Sequence, residues 1–185
     1  MKMQKRLFFF VFLMMSIILF GCRQDGELEK NFTVIIFSSL PESSLEKMKV
    51  FTENGVDEFE IQLYPPVFER LVAEVASHHG DVFILDRDLL PMIYDSEGLL
   101  SLETFRDESN TVKLNKEEQE ALLDEGNEKM DIYENALKVA NGTALFHDES
   151  NFNEENELVT VIPVYTKHEE EAYSLVENLV RKEKE

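Results

Sequence analysis

Few residues of this chain carry reactive side chains in patterns that build a catalytic centre. There is no Gly-x-Ser-x-Gly turn, no cysteine beside a histidine, no zinc-protease helix motif and no phosphate loop. With 38 Asp and Glu residues against 18 Lys and Arg, no carboxylate pair stands out by spacing, and catalysis is not expected. His78 and His79 lie next to Asp81. Adjacent positions on a helix point roughly 100° apart, however, and no metal-ligand spacing accompanies them; cationic character at a helix end explains them without a metal. The acidic stretch Asp148 to Glu157 lacks the central glycine and alternating ligands of a calcium loop and reads as a solvated loop. Neither metal nor cofactor is expected. What remains is a set suited to non-covalent binding. Ser38 and Ser39 offer hydroxyls and N–H groups before a helix start, Tyr64 offers a face for stacking, and Asp86 offers a carboxylate.

The elements that must hold these residues follow from hydrophobic spacing. Phe32 to Phe37 (FTVIIF) is an apolar, β-branched strand that delivers Ser38 at its end. The next helix, opened by a capping box of Ser39 with Glu42 or of Ser43 with Glu46, has Leu45, Met48 and Phe51 as its inward face, with Gly55 closing it. Phe59 to Tyr64 (FEIQLY) alternates as a strand with one wetter face, toward the sheet edge, and Pro65-Pro66 stops it. Val67, Phe68, Leu71, Val72, Val75 and Ala76 recur at three- and four-residue spacing and read as a helix, which Gly80 can end with a left-handed cap. Val82 to Leu85 is unbroken and apolar, as in a strand covered on both faces of a parallel sheet. Asp86 then falls at the carboxyl end of that strand, where open α/β sheets place their crevices.

Later in the chain, Val112-Lys113-Leu114 is a short extended piece. Asn115 and Glu118 form a capping box for a helix through Leu122 and Leu123. A further helix is expected from about Glu128 to Ala140, with Met130, Tyr133, Ala136 and Leu137 inward. Thr143 to His147 and Leu158 to Tyr165 read as strands, with Pro163 marking an edge. Thr166, with Glu169 three positions on, caps a last helix whose buried face is Ala172, Leu175, Val176 and Leu179. The fold class expected is therefore α/β: a small, open, mostly parallel sheet flanked by helices, a single domain over residues 31–185.

The order helix, Gly80-Asp81-Val82-Phe83-Ile84-Leu85-Asp86, short helix, Gly98-Leu99-Leu100-Ser101-Leu102 resembles the first lobe of bacterial extracellular solute-binding lipoproteins, the capture subunits of ABC importers. Val161 to His168 (VIPVYTKH) is similar to a late strand of that family. The resemblance covers Phe32 to Phe105 and Leu158 to Val180, and it implies a periplasmic-binding-protein-like lobe. Such proteins clamp solute between two lobes and are about twice as long as this chain. The resemblance therefore implies a reduced, single-lobe relative, an accessory or sensory component beside a transporter, binding a small solute or peptide at Ser38, Ser39, Tyr64 and Asp86.

The amino terminus is an address. Lys2, Lys5 and Arg6 precede an apolar run, Leu7 to Phe20, shorter than the roughly 20 residues needed to span a bilayer and typical of a signal peptide. Leu19-Phe20-Gly21-Cys22 resembles a bacterial lipobox, with Phe20 bulkier than the small residue usual there. The resemblance implies removal of residues 1–21, lipidation of Cys22, palmitate included, and a polar tether over residues 22–30 on the extracytoplasmic face of the cell membrane. An uncleaved apolar anchor is the other reading. Cys22 is the only cysteine, so no disulfide braces the domain.

Without Lys2, Lys5 and Arg6 the remainder carries 15 basic and 38 acidic residues, a formal charge near −23. That charge repels nucleic acid, which needs phosphate neutralisation, and repels anionic headgroups, leaving the lipid to hold the membrane. The competing reading from another class is a lipid-tethered domain that docks a transporter or other envelope protein and binds no solute.

Overall fold

Phe32–Phe37 has the composition of a strand buried on both faces, and that is where the chain places it. A computed structural model describes residues 31–45, 59–124, 132–139 and 157–180. All lie in the second of two units, Met1–Lys30 and Asn31–Glu185. The expected signal peptide, Cys22, the tether, the body of the helix after Ser44 and the Thr143 to His147 strand lie outside the described residues.

The strands are β1 (Phe32–Phe37), β2 (Phe59–Tyr64), β3 (Val82–Asp86), β4 (Thr111–Lys113), β5 (Ile132–Lys138) and β6 (Leu158–Val161). The helices are α1 (Phe68–Ala76), α2 (Lys116–Asp124) and α3 (Glu169–Val180), with 3-10 turns at Arg87–Met92 and Glu103–Phe105. One six-stranded sheet runs in the order β2-β1-β3-β6-β5-β4. β1 pairs in parallel with β2, from Phe32↔Phe59 to Phe37↔Tyr64, and with β3, from Val34↔Val82 to Phe37↔Leu85. The other pairings, β3 with β6, β6 with β5 and β5 with β4, are antiparallel. The protein is thus an α/β fold with a mixed sheet flanked by helices; parallel pairing is confined to the half containing β1, β2 and β3.

The mixed character follows from how the strands are connected and paired. A parallel partner needs a crossover long enough to return the chain to the same end, and α1 supplies one between β2 and β3. In the second half, the segment expected to be a helix from Glu128 to Ala140 contains strand β5 instead. Tyr133, Ala136 and Leu137 suit a helical face, but pairing with β6 and β4 decides the matter. A register irregularity between β4 and β5 lets Tyr133 and Ala136 join the core on one face of the sheet and Leu137 that on the other. Pro163 does not mark a sheet edge: β6 is central, and Pro163 lies beyond it, bridged to Leu99.

Each face of the sheet has its own core. Phe32, Val34 and Ile36 of β1 and Val82 and Ile84 of β3 pack with Ala172, Leu175, Val176 and Leu179 of α3. Ile35, Phe37, Phe83 and Leu85 pack on the other face with Leu71 of α1 and Leu89 and Leu90 of the first 3-10 turn. The alternation explains why β1 and β3 are apolar at nearly every position.

α1 forms where the apolar spacing predicts a helix but buries only a narrow line of it. Leu71 is fully buried, but Val67, Phe68 and Val72 are 46%, 44% and 38% exposed, and Ala76 is exposed too. The buried line runs through Leu71 and Glu74; Glu74 is tolerated there because Arg70 lies 2.6 Å and His79 Nδ1 3.0 Å from its oxygens.

Candidate functional site

The parallel register brings the carboxyl ends of β1, β2 and β3 together, and with them the residues singled out for binding. Ser38 is buried; its N–H donates to the Tyr64 carbonyl at 3.1 Å and its hydroxyl to Asp86 Oδ1 at 2.6 Å. The Ser39 N–H, on an exposed residue, lies 3.4 Å from Asp86 Oδ2. The Tyr64 hydroxyl donates to Gln62 Oε1 at 2.6 Å, and its ring lies 5.4 Å from that of Phe37. All four residues therefore meet at one end of the sheet. Asp86 acts there as a clamp, its carboxylate accepting from the turn that leaves β1.

Arg70 is an unforeseen member of this group. Its guanidinium sits 4.4 Å above the centre of the Tyr64 ring, a cation–π arrangement, while it pairs with Glu74 one turn along α1. The i,i+4 spacing of Arg70 and Glu74 was readable in the sequence; the stacking on Tyr64 was not.

Immediately after Asp86 the chain turns into a second polar cluster. Arg87 grips Glu118 through two bonds of 2.9 and 2.7 Å, donates to the Lys113 carbonyl at 2.9 Å, and lies 5.0 Å above the Tyr133 ring. Asn115 and Glu118 form the expected reciprocal cap: Glu118 N–H donates to Asn115 Oδ1 at 2.9 Å and Asn115 N–H to Glu118 Oε2 at 2.8 Å. Burial works against the charge of Glu118, but the Arg87 fork and the Asn115 N–H outweigh it and hold its carboxyl below the ordinary range. Burial, reinforced by the Glu118 charge, pushes the Tyr133 phenol up, so it stays protonated. The cluster fastens the end of β3 to α2 and β5.

The opposite end of the sheet is closed by Asp81. Its Oδ2 accepts the Thr33 N–H at 2.9 Å and its Oδ1 the Thr166 hydroxyl at 2.7 Å. Thr166 accepts from the His168 N–H at 3.1 Å, so it braces the loop before α3 rather than completing the cap expected with Glu169. The Tyr165 hydroxyl donates to the His79 carbonyl at 3.0 Å, and its ring stacks on His78 at 4.5 Å. Both histidines thus have structural partners, and no cluster of metal-ligating side chains occurs among the described residues.

No family model matches the chain, and no solved structure matches it. It is similar to a Bacillus subtilis (strain 168) protein named "Putative lipoprotein YteS", 28% identical over 148 residues, which cover 79% of this chain and 80% of that protein. The likeness extends over most of both chains. Among the described residues no helix is long and apolar enough to cross a membrane.

Proposed function

We propose that this protein is a membrane-anchored lipoprotein, tethered through Cys22 on the extracytoplasmic face. Two independent observations support the anchor: Leu19-Phe20-Gly21-Cys22 closes a short apolar run behind a basic start, and the B. subtilis relative is itself named a lipoprotein. Several acyl chains hold a protein on a bilayer durably where one does not. Labelled palmitate fed to cells expressing the full chain should enter the wild-type protein and fail to enter Cys22→Ala, which should also keep its leader. Equal labelling of the two would refute the assignment.

On that anchor we place a reduced, solute-binding-like domain that serves as an accessory or sensory component beside an ABC importer. The observation behind this reading is the meeting of Ser38, Ser39, Tyr64 and Asp86 at the carboxyl end of three parallel strands, the position where open α/β sheets bind ligands. Thermal melting against sugars, oligosaccharides and peptides tests it, since a ligand at a hundred times its dissociation constant stabilises by about 2.7 kcal/mol. A flat panel would sink it.

A second reading, docking of another envelope protein, has its own support. Val67, Phe68, Val72 and Met92 are exposed on the two elements that follow β2 and β3 at this same end, and exposed apolar surface marks contact sites. A photocrosslinking residue at position 68 in the lipidated protein should yield a discrete adduct in intact membranes; its absence would count against docking.

A further inference from the structure

We infer that the end of the domain formed by α1 and the first 3-10 turn docks a basic amphipathic segment of a protein partner, its apolar side chains seating on Val67, Phe68, Val72 and Met92 and its cations on Glu69 and Asp88. This rests on the docking reading and adds the chemistry of the partner. α1 and the 3-10 turn lie against each other, with Leu71, Leu89 and Leu90 in one core cluster, and each turns apolar side chains outward. Phe68 and Val72 are one helical turn apart, so they form a stripe rather than isolated exposures. Met92, 51% exposed, adds a side chain that adapts to varied apolar partners.

The charge around that surface selects the partner. Glu69 follows Phe68 and Asp88 precedes Met92 by four positions; both are exposed, and neither is ion-paired among the described residues. The cations of the same two elements are committed: Arg70 to Glu74 and the Tyr64 ring, Arg87 to Glu118. An acidic partner would meet two carboxylates and find no uncommitted cation on these elements, whereas a basic one meets compensating charge. The whole chain, at −20, steers approach in the same sense. The same charge disfavours an anionic bilayer as the occupant.

The test uses the full lipidated chain held in zwitterionic nanodiscs, with empty discs as the blank. The probes are a short Leu/Lys amphipathic helix, a Leu/Glu helix with the same apolar face, and a Ser/Lys peptide with the same charge. The Leu/Lys helix should bind at least ~10-fold more tightly than either other peptide, and Phe68→Ser with Val72→Ser should cost about as much. Glu69→Lys with Asp88→Lys should weaken binding too, and should remove most of its salt dependence. Glu103→Lys with Glu170→Lys, exposed positions on elements outside this surface, should leave it unchanged. Binding indifferent to Phe68 and Val72, equal binding of the Leu/Glu helix, or signal no greater than on empty discs would each overturn the inference. A crosslinked adduct at position 68 together with failure of the Leu/Lys helix would overturn the partner chemistry and leave docking standing. Failure of both would remove docking as well.

Discussion

Thr160 sits in the middle of β6, paired with Ile84 of β3 and Leu137 of β5. It is fully buried, and its hydroxyl has no hydrogen-bond partner among the described residues. Its neighbours on that face, Ile84, Leu137, Leu158 and Ile162, are all apolar members of one core. Replacing Thr160 by Val keeps the branched shape and exchanges an unpaired hydroxyl for a methyl. A buried polar group without a partner costs about 1–3 kcal/mol, and a buried carbon contributes roughly 0.8 kcal/mol. Discounting for the contacts a slightly larger group must find, the variant should gain about 1–2 kcal/mol. For a domain of this size that raises the melting midpoint by roughly 2–8 °C. Urea titration followed by circular dichroism should show a higher midpoint at an unchanged slope. Thr160→Ser is the control: it keeps the hydroxyl, deletes the methyl, and should lose about 1 kcal/mol. A Val variant less stable than the wild type would refute the reasoning, because it would mean that the hydroxyl is hydrogen-bonded in solution.

Three further substitutions probe the framework. Gly80 has φ +80°, and a Cβ there would lie 2.8 Å from Ile35 Cδ1, so Gly80→Ala should cost about 2 kcal/mol or more in a urea titration, from backbone strain and contact together. Glu118→Gln leaves Arg87 without its charged partner in a largely buried setting and should cost about 2–4 kcal/mol at neutral pH. Because the folded pKa of Glu118 lies below its unfolded value of roughly 4.3, the pair's contribution is whole above that value and is lost as pH falls through the folded pKa; an acid titration should therefore be steeper for the wild type than for the variant. Asp81→Asn turns one of two short acceptors, to Thr33 N–H and Thr166 hydroxyl, into a donor, and should cost about 1–2 kcal/mol by thermal melting.

Much of the parallel half was legible because its signals are local. FTVIIF and FEIQLY form strands over their whole length, and the apolar run from Val82 ends at Asp86 as expected. The convergence of Ser38, Tyr64 and Asp86 then follows from parallel order alone. The antiparallel half was less legible because its signals are not local. Tyr133, Ala136 and Leu137 satisfy helical spacing, and only strands β4 and β6, remote in sequence, select the extended form. The helix α1 was legible from spacing, but its buried face was not, for a related reason. Spacing identified six apolar positions, but a nine-residue helix crossing the sheet touches it along a narrow line, and that line runs through Leu71 and Glu74. Arg87 and Glu118 stand 31 positions apart, and no pattern within either segment announces the pair.

The two ends of the parallel strands differ in what secures them, and that difference bears on function. At the amino end, Asp81 joins the start of β1 to the loop before α3, and Tyr165 binds the turn before β3. Those bonds link segments far apart in sequence, so altering this end should register first in stability. At the carboxyl end, the Ser38–Asp86 bond closes the exit of β1 onto β3, while Ser39, Phe68, Val72 and Met92 remain at the surface. A braced scaffold that presents exposed groups at one end is the arrangement from which binding surfaces are built. Substitutions at Phe68 and Val72 should accordingly change association while leaving the fold near its wild-type stability, the reverse of the pattern expected at Asp81 and Gly80.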